Sequence, residues 1–121
     1  MTAQCAIPSV HYHLGDALSR DDYPKVKFHV VVSTGLGEFL RDDELAKFYA
    51  HVYDVMESGA TFYTSATARD HRSDALLRIA EILTNYRGPG ELESILRSVP
   101  WKRLVLVRDP TGFQTFATAI K

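Results

Sequence analysis

Apolar residues recur with two different periods along this chain. In Val10-His-Tyr-His-Leu14 they alternate, and they alternate again in Lys27-Phe-His-Val-Val-Val-Ser33. A period of two predicts strands, with Val10, Tyr12, Leu14, Phe28, Val30 and Val32 inward. His11, His13, Lys27, His29 and Ser33 then look outward. The polar stretch 15–24 between them is a loop. From Asp42 to Glu57 the period changes: Leu45, Phe48, Tyr49, Val52, Val55 and Met56 recur at helical spacing. The acidic start suits the positive end of a helix dipole, and Gly59 supplies a stop.

Ala60 to Ala68 is rich in Thr, Phe and Tyr and reads as a strand. A second helix is predicted from Asp70 or Ser73 to Tyr86, with Leu76, Ile79, Ala80 and Leu83 as its buried stripe. Gly88-Pro-Gly90 ends it, and Glu91 to Ser98 gives two further turns. Arg103-Leu-Val-Leu-Val-Arg108 is the near-continuous apolar run of a buried strand. Asp109-Pro-Thr-Gly112 is a turn. Phe113 to Lys121 fits either a helical stripe or the second arm of a hairpin, and the hairpin is preferred.

Residues 1–8 read as an irregular leader, and the remainder of 1–121 as one domain. The fold class is α/β, with α+β as the alternative. The expected architecture is a mixed four- to five-stranded sheet carrying two long helices and one short one. Composition agrees: 45% of the 121 residues are apolar and 24% charged, which is ordinary for a globular chain.

Lys plus Arg number 14 against 15 Asp plus Glu, a net charge of −1. That balance counts against nucleic acid or an anionic membrane as the main partner. Cys5 is the sole cysteine, so there is no intrachain disulfide and no CxxC site. No run approaches the ~18 apolar residues of a membrane span. A soluble cytoplasmic protein is the expectation, with another protein or a second copy of the chain as its partner.

Chemistry is sparse. If the first two strands are neighbours, His11, His13 and His29 gather on one surface. Three neutral imidazoles form a zinc-type ligand set with one position open, and Asp16 or Glu38 could complete it. The plainer reading is three solvent-facing strand positions. His-Tyr-His also resembles the His-hydrophobic-His signature of nucleases that attack DNA with a helical tyrosine, for which Tyr49 and Tyr53 would serve. Arg69-Asp-His-Arg72 and Ser73 lie where a strand meets a helix, a place that favours anions, with Thr64 and Ser65 as nearby hydroxyl donors. Arg87-Gly-Pro-Gly-Glu91 lacks the spacing and lysine of a phosphate loop and reads as a helix stop and restart.

The order of elements from Lys27 onward resembles the STAS and SpoIIAA-like families. The resemblance rests on the glycine turn Ser33-Thr-Gly-Leu-Gly37, the helix opening on Asp42-Asp-Glu-Leu45, the strand-to-helix step near 60–75, and the return strand Arg103 to Val107. It implies a non-catalytic regulatory or protein-interaction domain, needing no cofactor, with a contact loop at residues 64–74. Ser73 stands near the family's phosphorylated serine, although its Asp-Ser-Ser/Thr-Gly signature is absent here. The alternative is a small metal-dependent or histidine-assisted hydrolase or nuclease using His11, His13 and His29.

Overall fold

The computed structural model describes residues 9–68, 75, 76, 78, 79 and 84–121. Its elements are β1 (Phe28–Ser33), α1 (Asp42–Asp54), β2 (Met56–Thr67), α2 (Pro89–Leu96), β3 (Arg103–Arg108) and β4 (Gln114–Ile120). Short 3-10 turns span Arg20–Asp22 and Leu36–Phe39. The expected α/β class holds: one mixed sheet of four strands in the order β1-β2-β4-β3. The β1–β2 pair is parallel, and β4 runs antiparallel to both β2 and β3.

Local chemistry fixes the helices. Asp42, Asp43 and Glu44 fill the first turn of α1, and the Glu44 carboxylate accepts the Arg41 N–H at 3.0 Å. That satisfies one of the donors every helix start leaves unpaired. At the other end Lys121 Nζ donates to the carbonyls of Tyr53 and Met56 at 2.7 and 2.9 Å, and Lys27 Nζ donates to that of Asp54. Two ammonium groups therefore serve the negative end of α1. Pro89 opens α2 at the position that needs no N–H donor.

The core lies between these helices and one face of the sheet. Leu45, Phe48, Tyr49 and Val52 of α1 and Leu92 and Leu96 of α2 close on Ala60, Phe62 and Ala66 of β2 and Ala117 and Ala119 of β4. The alanines keep the sheet surface low, so that Phe62 can rise between Tyr49 and Trp101. Ring centroids there are 5.6 Å apart edge-to-face and 5.7 Å apart stacked.

Several expectations are corrected. Residues 10–14 form no strand, and Val10, Tyr12 and Leu14 are exposed. A short alternation holds extended backbone only when it pairs with a neighbouring strand, and residues 10–14 pair with none of the described strands. Within β1 it is Val31 that packs against the core, while Val30 and Val32 point away. Leu76 and Ile79 are helical but exposed rather than a buried stripe. The first helix stops at Asp54, and Gly59 lies inside β2 with φ +82°. There the ladder slips from Phe28↔Met56 to Val30↔Thr61, a bulge that needs the left-handed backbone glycine allows. Residues 113–121 resolve as the hairpin arm β4. The leader 1–8, Cys5, and Ala80 and Leu83 of the expected stripe lie outside the described residues. No described helix is long and apolar enough to cross a membrane.

Candidate functional site

A concavity runs along the outer edge of β1. It has a volume of about 480 Å³ and is walled by Phe28 and Val30 to Ser33 of β1, by Phe48 and Val52 of α1 and Val55 just after it, and by the loop from His13 to Pro24. That loop has a defined shape. The Asp16 N–H donates to Asp22 Oδ2 at 2.8 Å, and Asp16 Oδ1 accepts the Leu18 N–H at 2.9 Å. Gly15 permits the crossing, because a Cβ there would stand 2.9 Å from Asp22 Cβ. Tyr23 donates its hydroxyl to the Ala17 carbonyl at 2.6 Å, and its ring meets His51 of α1 edge-on at 5.5 Å. The loop is thereby fastened to the helix beneath it. Asp16 keeps one carboxylate oxygen without a protein partner among the described residues.

Burial pushes the Tyr23 phenol up to about 12, the Arg20 charge opposing and Asp16 reinforcing. The native pKa lies above the ordinary value of about 10, so the folded state holds this proton more tightly. Its contribution to stability is complete below about pH 10 and disappears as pH rises through about 12. Urea unfolding across that interval should show a steeper alkaline loss for the wild type than for Tyr23→Phe. Equal slopes would mean that Tyr23 is not buried this way.

A second, polar site sits at the carboxyl ends of the parallel strands, where ligands of α/β sheets usually lie. Glu38 accepts the Thr67 hydroxyl, and Gln114 Nε2 donates to the same Thr67 oxygen at 2.8 Å. Backbone bonds from Asn85 N–H to the Glu38 carbonyl (2.7 Å) and from Arg87 N–H to the Thr67 carbonyl (2.9 Å) close the group. Arg87 is 3% exposed. Its guanidinium donates to Asp42 Oδ1 at 2.9 Å, the Gly37 carbonyl at 2.7 Å and the Leu40 carbonyl at 2.6 Å. Chemically, this is a carboxylate pinned at the exit of the sheet and able to accept a proton from an approaching hydroxyl.

His11 and His13 are exposed on coil and His29 is on β1. Among the described residues no group of three or more His, Cys, Asp or Glu could hold a metal ion. Tyr49 is 1% exposed, with burial pushing its phenol up, which does not suit a DNA-attacking nucleophile. Tyr53 packs edge-on against Trp101 at 5.2 Å. Thr64 and Ser65 are buried within β2, not displayed on a loop. Arg69, Asp70, His71, Arg72 and Ser73 lie outside the described residues. The sequence reading passed over Asp22, Tyr23 and Gln114 and treated Arg87 as mere punctuation. The available signal was Gly15-Asp16 standing before a polar loop that leads into an apolar strand.

No protein-family model matches the chain, and no curated protein does. Solved structures do. A possible exported protein from Bordetella parapertussis superposes with a TM-score of 0.73 at 14% identity, over 88% of this chain and 42% of its own. PigF, solved with S-adenosylhomocysteine (SAH), gives 0.70 at 16% identity over 88% and 34%. Human N-acetylserotonin methyltransferase, in complex with S-adenosylmethionine (SAM), gives 0.65 at 13% over 88% and 32%. The chain thus spans between about a third and two fifths of these proteins. These likenesses overturn the STAS/SpoIIAA-like reading, the regulatory role drawn from it and the expectation that no cofactor is involved. The chain shares the fold of the corresponding part of these proteins.

Proposed function

We propose that this chain forms part of a SAM-dependent methyltransferase and supplies one flank of the cofactor cleft. The observation that supports this most is the 88% coverage of the chain by PigF, a protein solved with SAH. The β1-edge cleft fits the adenosyl end of such a cofactor: apolar walls for a flat ring, and the unpartnered Asp16 oxygen for an exocyclic amine. When bound, SAM supplies an electrophilic methyl group. The chain's own contributions are the orienting carboxylate of Asp16, the loop held shut by Tyr23 and Asp22, and Glu38 at the strand exits as proton acceptor for the methyl-accepting group.

Titrating SAH into the isotopically labelled chain tests this by NMR. Amide shifts are expected from Gly15 to Leu18 and from Val30 to Ser33. Asp16→Ala removes a hydrogen bond to a charged group and should weaken binding by about tenfold or more. The absence of any shift in the cleft at millimolar SAH would refute the proposal.

A further inference from the structure

Three segments far apart in the chain meet at the strand exits through one hydroxyl group. Glu38 comes from the turn before α1, Thr67 ends β2, and Gln114 opens β4 directly opposite Thr67 in the ladder. Thr67 is 4% exposed, so bulk water does not compete for its side chain. A threonine hydroxyl has a single proton to give, and an ionised carboxylate can only accept. That proton therefore goes to Glu38 Oε1. The Thr67 oxygen is left as an acceptor, and Gln114 Nε2 supplies the donor at 2.8 Å. Each bond fixes the direction of the next.

Gln114 is held in place by the β3–β4 turn. Its N–H donates to Asp109 Oδ1 at 3.1 Å, and its carbonyl accepts the Asp109 N–H at 2.9 Å. Next to it the Phe113 carbonyl accepts the Ala68 N–H at 2.8 Å, which locks the turn to the end of β2. At the other end of the chain of bonds, Glu38 Oε2 has no hydrogen-bond partner among the described residues. From this order we infer that Gln114 is a positioning residue for Glu38: its amide commits the only Thr67 proton to Oε1 and leaves Oε2 to take a proton from the methyl-accepting group. An apolar side chain at 114 would let the Thr67 hydroxyl turn away, and a carboxylate there would compete for the same proton. The part played by Oε2 rests on the proposed function, whereas the directed chain of bonds behind it does not.

The Gln114 side-chain amide reports on this chain by NMR of the whole protein labelled with nitrogen-15. On acidification Glu38 loses its charge, its hold on the Thr67 proton is released, and the Gln114 Nε2–H signals should shift. Asp109, bonded to the Gln114 N–H, is the competing source of such a shift; the Arg87 guanidinium and its partner Asp42 are the other charges at the site. Two variants separate these sources. Glu38→Gln keeps Asp109 and removes the charge at the far end, and Thr67→Val keeps both carboxylates and removes the link. The expected result is a pH-dependent shift of the Gln114 amide in the wild type, lost in both variants and restored in Thr67→Ser, with circular dichroism unchanged. Glu38 lies on a turn and is not fully buried, so Glu38→Gln decides the matter even if Thr67→Val does not fold. A shift that survives in Glu38→Gln or in folded Thr67→Val, or no shift in the wild type, would overturn the inference. A Gln114 response without SAH-induced shifts would uphold the positioning chain and defeat the cofactor reading; SAH-induced shifts without that response would do the reverse.

Discussion

Phe62→Ala lowers the stability of this fold by about 3–5 kcal/mol, the range for deleting a fully enclosed aromatic ring. Phe62 is 0% exposed and lies between Tyr49 and Trp101, which also meets Tyr53 at 5.2 Å. Neither neighbour can collapse into the space. Tyr49 is fixed to α1 among Leu45, Phe48 and Val52, and the Trp101 indole donates to the Leu96 carbonyl at 3.0 Å. The cavity therefore persists and adds its own cost to the lost burial. With total stabilities of about 5–15 kcal/mol usual for a domain, such a loss removes about a fifth of the total or more. Urea denaturation should show the midpoint falling by more than about 1 M. Phe116→Ala is the matched control: the same deletion on the opposite face of the sheet, at a residue 49% exposed, should cost the isolated chain under about 1 kcal/mol. Equal losses at the two positions would mean that the assignment of inner and outer faces is wrong.

That contrast also explains what could be read from the sequence. The stripe of α1 was legible because Leu45, Phe48, Tyr49 and Val52 face one core and its other side faces water. The β3–β4 hairpin was legible through Asp109-Pro-Thr-Gly112, whose Asp109 side chain accepts the Thr111 hydroxyl and the Gln114 N–H. Those two hydrogen bonds hold the Asp109 carboxyl below its usual range, the Thr111 bond contributing most. By contrast, Val30-Val31-Val32 is apolar on both sides, so no alternation says which valine turns inward. The boundary between α1 and β2 was hidden because Val55 and Met56 continue the helical spacing although they are buried after the helix has ended. The candidate site was barely legible. Asp16 and Glu38 entered only as accessories to three histidines, because a single carboxylate carries no motif. Its meaning comes from a cleft formed by residues far apart in the chain.

Arg87→Ala carries the second large effect, and its origin is geometric rather than ionic. Asp42, its acidic partner among the described residues, is 74% exposed, so their ion pair is largely screened and Asp42→Ala should cost less than about 1 kcal/mol. The guanidinium's bonds to the Gly37 and Leu40 carbonyls are different. Both are short, both are made by a side chain 3% exposed, and together they fix the turn between β1 and α1 against the segment leaving β2. Hydrogen bonds to charged groups contribute about 1.5–3 kcal/mol each, so losing both should cost about 3 kcal/mol. Arg87→Lys, with one compact ammonium in place of a fork, should recover only part of this. Hydrogen exchange separates the local consequence from general loosening. The Asn85 and Arg87 amides, bonded to the Glu38 and Thr67 carbonyls, should lose protection first in Arg87→Ala, ahead of the β2–β4 ladder. Because Glu38 is held in the same turn, its carboxylate would leave the strand exits, linking a stability defect to the proposed chemistry. Uniform loss of protection across the sheet would instead make Arg87 an ordinary core contact with no special hold on the site.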